Sequence, residues 1–115
     1  MWCNKLFNKI LDKETLENYV DLTYLRKSEI RRIVKLLHDI NPGTLVKNIQ
    51  HRFTLEEIDI ILPQIQCSPF RDSIYRVFSS KKDNLLSLED VLDLCSAFSE
   101  NCPVDVQASW AFQIF

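Results

Sequence analysis

The chain has 115 residues, 46% hydrophobic and 26% charged, with one Gly, four Pro, four Cys and a formal charge of −2. That length allows one domain with a real core. The single glycine, Gly43, excludes Gly-rich phosphate loops and dinucleotide fingerprints, and interspersed charges leave no basic stripe for nucleic acid.

From Met1 to Phe7 there is no long apolar run of the signal-peptide kind, and no stretch of the chain approaches a membrane span. Trp2, Leu6 and Ile10, then Leu16, Tyr19 and Val20, predict one or two amphipathic helices with weak capping. Ile30, Ile33, Val34, Leu37 and Ile40 predict a helix from about Lys27 to Ile40, stopped by Asn41-Pro42-Gly43. Thr54-Leu55-Glu56-Glu57 is a capping box opening a short helix whose face is Leu55, Ile58, Ile61 and Leu62, and Pro63 ends it. Ser68-Pro69 reads as N-cap and first-turn proline of a helix burying Phe70, Ile74, Val77 and Phe78, stopping near Ser79. Ser87 caps a further helix carrying Leu88, Val91, Leu92, Cys95 and Phe98. Pro103 opens a last helix, with Val104, Ala108, Ala111, Phe112 and Phe115 aligned as its core face.

Two helix–loop–helix units each have a capped exit preceded by an apolar residue, Phe53 before Thr54 and Leu86 before Ser87. If Leu86 is position 8 of a twelve-residue EF-hand loop, position 1 is Ser79 and position 12 is Asp90, and the frame fits without a gap. Phe53 and Leu86 then face each other across a two-strand bridge. A generic helical bundle is the alternative reading of the same pattern.

The blocks Leu22-Thr23-Tyr24-Leu25 with Glu29-Ile30, Pro69-Phe70-Arg71-Asp72, Arg76-Val77-Phe78-Ser79, Leu88-Glu89-Asp90-Val91-Leu92-Asp93-Leu94, Phe98-Ser99 and Ala111-Phe112-Gln113-Ile114-Phe115, taken in order, resemble the calcium- and integrin-binding protein family. The resemblance covers nearly everything after about Leu16. It implies an all-α fold of EF-hands, the first two degenerate and the last two binding calcium or magnesium, with an apolar groove for helical tails of partners. On that frame the chain divides into an N-terminal amphipathic extension (1–25), a degenerate EF-hand pair (26–102) and the entering helix of a third hand (103–115), ending before the third loop. Arg26 stands where the family has a capping threonine, which shifts the expected start of the third helix. Ser68 replaces the usual asparagine and keeps an N-cap oxygen.

The loop chemistry argues against a metal in this chain. Calcium takes six to eight oxygens, several from carboxylates. The second loop has neutral Ser79 at position 1, Lys81 at position 3, Asp83 at position 5, Asn84 in place of the turn glycine and Asp90 in place of the longer glutamate. The Lys81 ammonium is expected where the cation would sit, and Asn84 is expected to take the left-handed turn. The first loop, Asn41 to Glu57, exceeds twelve residues by five and carries Pro42, Lys47, His51 and Arg52 rather than acids, so it reads as a spacer.

Besides its core series, the last helix places Val106, Trp110 and Ile114 on another face. Such a helix needs a partner or self-association to cover it. By the resemblance, Leu94, Phe98, Trp110 and Ile114 line the groove for an integrin, channel or kinase segment; the competing reading makes each a core residue. Cys3, Cys67, Cys95 and Cys102 show no C-x-x-C spacing, and no Asn-x-Ser/Thr acceptor occurs, which argues for a reducing cytosol. His38 and His51 read as surface or loop histidines, Cys67 and Cys95 as shielded structural thiols, and no catalytic pairing of Cys67 with His51 is supported. Trp2 follows Met1 where the family often has a myristoylated glycine, and Cys3 is a candidate for palmitoylation. The expectation is a non-enzymatic regulatory adaptor, cytoplasmic or peripheral at a membrane. A calcium- or magnesium-responsive sensor and a nonfunctional truncated isoform are the alternatives.

Overall fold

The structure, a computed structural model, describes residues 4–114. Trp2, Cys3, Phe115 and the side chain of Leu6, all named above, lie outside the described residues. Nine helices and one two-strand ribbon are formed among those residues: α1 (Asn4–Ile10), α2 (Lys13–Leu22), α3 (Lys27–Ile40), α4 (Thr44–Lys47), β1 (Phe53–Thr54), α5 (Leu55–Ile61), α6 (Pro63–Gln66), α7 (Arg71–Phe78), β2 (Leu85–Leu86), α8 (Leu88–Ala97) and α9 (Val104–Ile114). The fold is all-α and EF-hand-like, with α3 and α5 flanking the first loop and α7 and α8 the second.

The N-terminal segment forms two helices. Asp12 caps α2 by accepting from the Thr15 N–H at 2.7 Å. Phe7, Ile10, Leu11 and Leu16 belong to the same core cluster as the later helices. Helix α3 begins at Lys27, so the expected shift does not occur. The arginine side chain carries only donors and caps nothing, but the Arg26 N–H donates to Glu29 Oε1 at 3.1 Å, which fixes the first turn from the other side.

Thr54 and Ser87 cap α5 and α8 in capping boxes with Glu57 and Asp90. The bridge pairs Phe53 with Leu86 and Thr54 with Leu85, antiparallel. Phe53 and Leu86 are fully buried and close the loop side of the core. Pro63 does follow the end of α5, but it also opens the single-turn α6, because a proline at the first helical position loses no hydrogen bond.

Ser68 is not the N-cap of α7. Its Oγ accepts from the Phe70 N–H at 3.1 Å within the preceding turn. Phe70 (φ −100°, ψ 13°) is outside helical geometry, so the regular helix starts at Arg71 and Phe70 is left exposed rather than buried.

Of the described residues on the expected core face of α9 only Ala111 is half-buried, and the other face docks instead. Val104, Ala108 and Phe112 point to solvent, Phe112 being 89% exposed, while Val106 and Trp110 are half-buried and Ile114 is buried. The cause is the size of the aromatic contact. The Trp110 ring lies 4.4 Å from that of Phe78 on α7, so docking this face buries an indole against an aromatic partner.

Candidate functional site

Two open clefts run along the side of the molecule away from the loops. The first, about 630 Å³, lies between α3, the α5–α6 corner and the end of α8; Leu36, Ile61, Leu62, Leu94, Cys95 and Phe98 are among its lining residues, with Arg26, Arg32 and Glu100 supplying charge. The second, about 490 Å³, lies between α6, α7 and α9 and is lined by Ile65, Phe70, Ile74, Phe98, Trp110 and Ile114 among others. Gln64, Ile65 and Phe98 belong to both.

The four residues singled out in the sequence are therefore brought to one region in different roles. Leu94 is 1% exposed, a core residue that floors the first cleft. Ile114 is buried and Trp110 half-buried, and both wall the second cleft. Phe98, expected in the core face of its helix, is 54% exposed, because it is the C-cap residue of α8 and no longer follows the helical face. Leu36, Ile61, Leu62 and Ile65 were not anticipated as cleft residues: Ile61 and Leu62 read as part of the core face of α5, and only Leu36, apolar outside the α3 stripe, gave a signal.

Two serines at the end of α8 also escaped the sequence reading. The Tyr24 N–H donates to Ser96 Oγ at 2.8 Å and Ser99 Oγ donates to the Tyr24 carbonyl at 3.3 Å, so the α2–α3 connection is tied beside the first cleft. Cys95 faces that cleft as a thiol, its pKa pushed up to about 12 by burial and by the nearby charge of Glu29, which removes thiolate chemistry at neutral pH. Two expectations about single residues are corrected. Cys67 is exposed, because the α6–α7 turn holds it at the surface, and His38 is buried, because it follows Val34 by one turn on the inner face of α3.

At the opposite end, the second loop keeps an EF-hand frame. Asn84 takes φ +62°, as expected, and Lys82 takes φ +55°. Lys82 Nζ donates to the carbonyls of Arg76 and Val77, satisfying the C-terminus of α7. Lys81 is exposed and is not the residue among the ligand positions. That place is taken by Arg52 of the first loop, since the planar guanidinium matches the carboxylate fork in a way an ammonium does not. Arg52 Nε and Nη2 donate to the two carboxylate oxygens of Asp83 at 3.1 and 2.8 Å, Nη2 also donates to the Leu85 carbonyl at 2.8 Å, and Nη1 is 3.6 Å from Asp90 Oδ2. The guanidinium beside Asp83 holds that carboxyl below its usual range. Ser79 Oγ is 2.9 Å from the Leu85 carbonyl, to which it donates, and Asp90 Oδ2 accepts from the N–H groups of Ser80 and Ser87.

This geometry defines the class: a paired EF-hand module with an irregular first loop and a second loop filled by a side chain. No protein-family model matches the chain. The chain is a homologue of the calcium and integrin-binding family members. It is 30% identical over 116 residues to calcium and integrin-binding family member 2 of Drosophila melanogaster, covering 94% of this chain and 61% of that protein. It is 30% identical over 112 residues to human family member 3 and 25% identical over 109 residues to human family member 2, each match covering 92% of this chain and 58% of the relative. The chain thus spans about three fifths of the length of these relatives.

The calcium in the relatives' name does not fit the second loop as it stands. Asp83 and Asp90 supply the carboxylates among the ligand positions, a guanidinium already lies against both, and a lysine holds position 3. Among the described residues no group of three or more His, Cys, Asp or Glu is placed to hold a metal. No described helix is long and apolar enough to cross a membrane.

Proposed function

We propose that this module is a non-catalytic regulatory adaptor that receives an amphipathic helical segment of a partner, such as the cytoplasmic tail of an integrin, across the two clefts that meet at Phe98. The observation that carries this reading is Phe98 itself. A large apolar side chain stays exposed at the shared edge of a mixed cleft and a mainly apolar one, where a partner's helix would bury it, and helix-in-groove recognition uses such anchors. The names of the relatives support the integrin tail as the partner to test first. The adaptor works from the cytoplasm or at the inner surface of a membrane.

The test is calorimetric titration with integrin-tail peptides, in chelator and in calcium. Phe98→Ala weakens binding about tenfold or more, since burying a phenylalanine is worth roughly 1.5–3 kcal/mol, and shifts the melting temperature little because the side chain is exposed. Binding that Phe98→Ala leaves unchanged removes the clefts from consideration. Capture that requires calcium favours an ion-responsive sensor, the reading that the relatives' name invites.

A further inference from the structure

We propose that Arg52 is the resident cation of the second loop: its guanidinium occupies the place of a divalent ion and holds the two loops together without metal. In the frame that starts at Ser79, the groups Arg52 touches are the side chain at position 5, the carbonyl at position 7 and the carboxylate at position 12. Those are the positions from which an EF-hand draws its ion ligands. Ser79 at position 1 turns to the same centre, its Oγ within 3.3 Å of Asp83 Oδ1 and within 2.9 Å of the Leu85 carbonyl.

Placement of the arginine is fixed by the backbone. Arg52 directly precedes Phe53, whose fully buried ring and pairing with Leu86 anchor the stem from which the guanidinium reaches across. The Arg52 side chain is only 15% exposed. A guanidinium stays protonated throughout the physiological range, so this cation is present at every calcium concentration. Arg52 lies one residue before Phe53, inside the last twelve residues of the first loop, so the cation comes from that loop's own EF-hand frame and not from its five extra residues.

The proposal stands apart from partner binding, because none of its readouts involves a partner. Thermal melts of the parent, Arg52→Ala, Asp83→Asn/Asp90→Asn and the triple variant are compared in chelator and in millimolar calcium. The parent melts at the same temperature in both, and Arg52→Ala melts lower in chelator by roughly 5–10 °C. In the background that lacks both carboxylates, Arg52→Ala costs less than half as much. A parent stabilised by calcium, an Arg52→Ala variant that melts like the parent, or an undiminished loss without the carboxylates overturns the proposal. Should Arg52→Ala fail to fold, the parent supplies the answer by NMR. A slowly exchanging Arg52 Nε–H resonance unmoved by millimolar calcium supports the resident cation, and its absence or displacement by calcium overturns it.

Discussion

Asp59 lies between Ile58 and Ile60 on α5, yet its carboxylate is buried and fully engaged. Its Oδ1 accepts from Arg71 Nε at 2.9 Å and from the Tyr75 hydroxyl at 2.7 Å, and its Oδ2 accepts from Arg71 Nη2 at 2.7 Å. The Arg71 hydrogen bonds hold the Asp59 carboxyl below its ordinary 3.8, against the opposing effect of burial and with further help from Tyr75. Because the folded-state value is depressed, the stabilisation is complete above the unfolded-state pKa of about 4 and is lost as pH falls from there through the folded-state value. Asp59→Asn should lower stability at neutral pH by about 1–3 kcal/mol and should lose less than the parent between neutral pH and pH 3, as read by urea denaturation. Nothing in the sequence announced this pair. A carboxylate among isoleucines reads as a solvent-facing residue until its arginine, twelve positions away, is known to fold back onto it. Arg52 was hidden in the same way, since its partners at 83 and 90 become neighbours only after the two loops pair.

Among the elements, those ruled by local chemistry were legible from sequence and those ruled by competition were not. The bounds of α3 and the boxes at Thr54 and Ser87 follow from spacing and from side-chain oxygens acting within one turn. Thr54→Ala and Ser87→Ala should each cost about 1 kcal/mol, with a fall of about 4–8 °C in melting temperature for each kcal/mol, and their effects should be nearly additive except through the bridge that joins the two loops; differential scanning calorimetry of the single and double variants checks both. The turn before α7 and the direction of α9 depend on tertiary partners. Ser68 offered an N-cap oxygen, but Arg71 is drawn to Asp59 and the helix starts later. In α9 two apolar faces were available, and the ring of Phe78 decided between them.

The whole molecule exposes 7224 Å², above the roughly 6,600 Å² expected for a 13.6 kDa chain. The outer stripe of α9 and the two clefts contribute apolar area to that surplus. Phe112→Ala should therefore change stability by less than about 0.5 kcal/mol, whereas Trp110→Ala should cost about 3 kcal/mol or more; guanidinium unfolding of the two variants side by side checks which face docks. The overall plan of paired hairpins was readable because a single register, Phe53 opposite Leu86, ties every later element to the loop frame. The clefts were not readable as shapes, since they depend on how far the α5–α6 corner stands from the end of α8.

That bridge has a mechanical consequence. Phe53 and Leu86 immediately precede the capping residues of α5 and α8, so the two helices spring from one common axle. Their far ends carry Ile61 and Leu62 on one side and Leu94 and Phe98 on the other, facing across the first cleft. The width of the cleft is therefore set by the angle at which the two helices leave the axle, and the same change of angle displaces Phe98, the point farthest along its arm, the most.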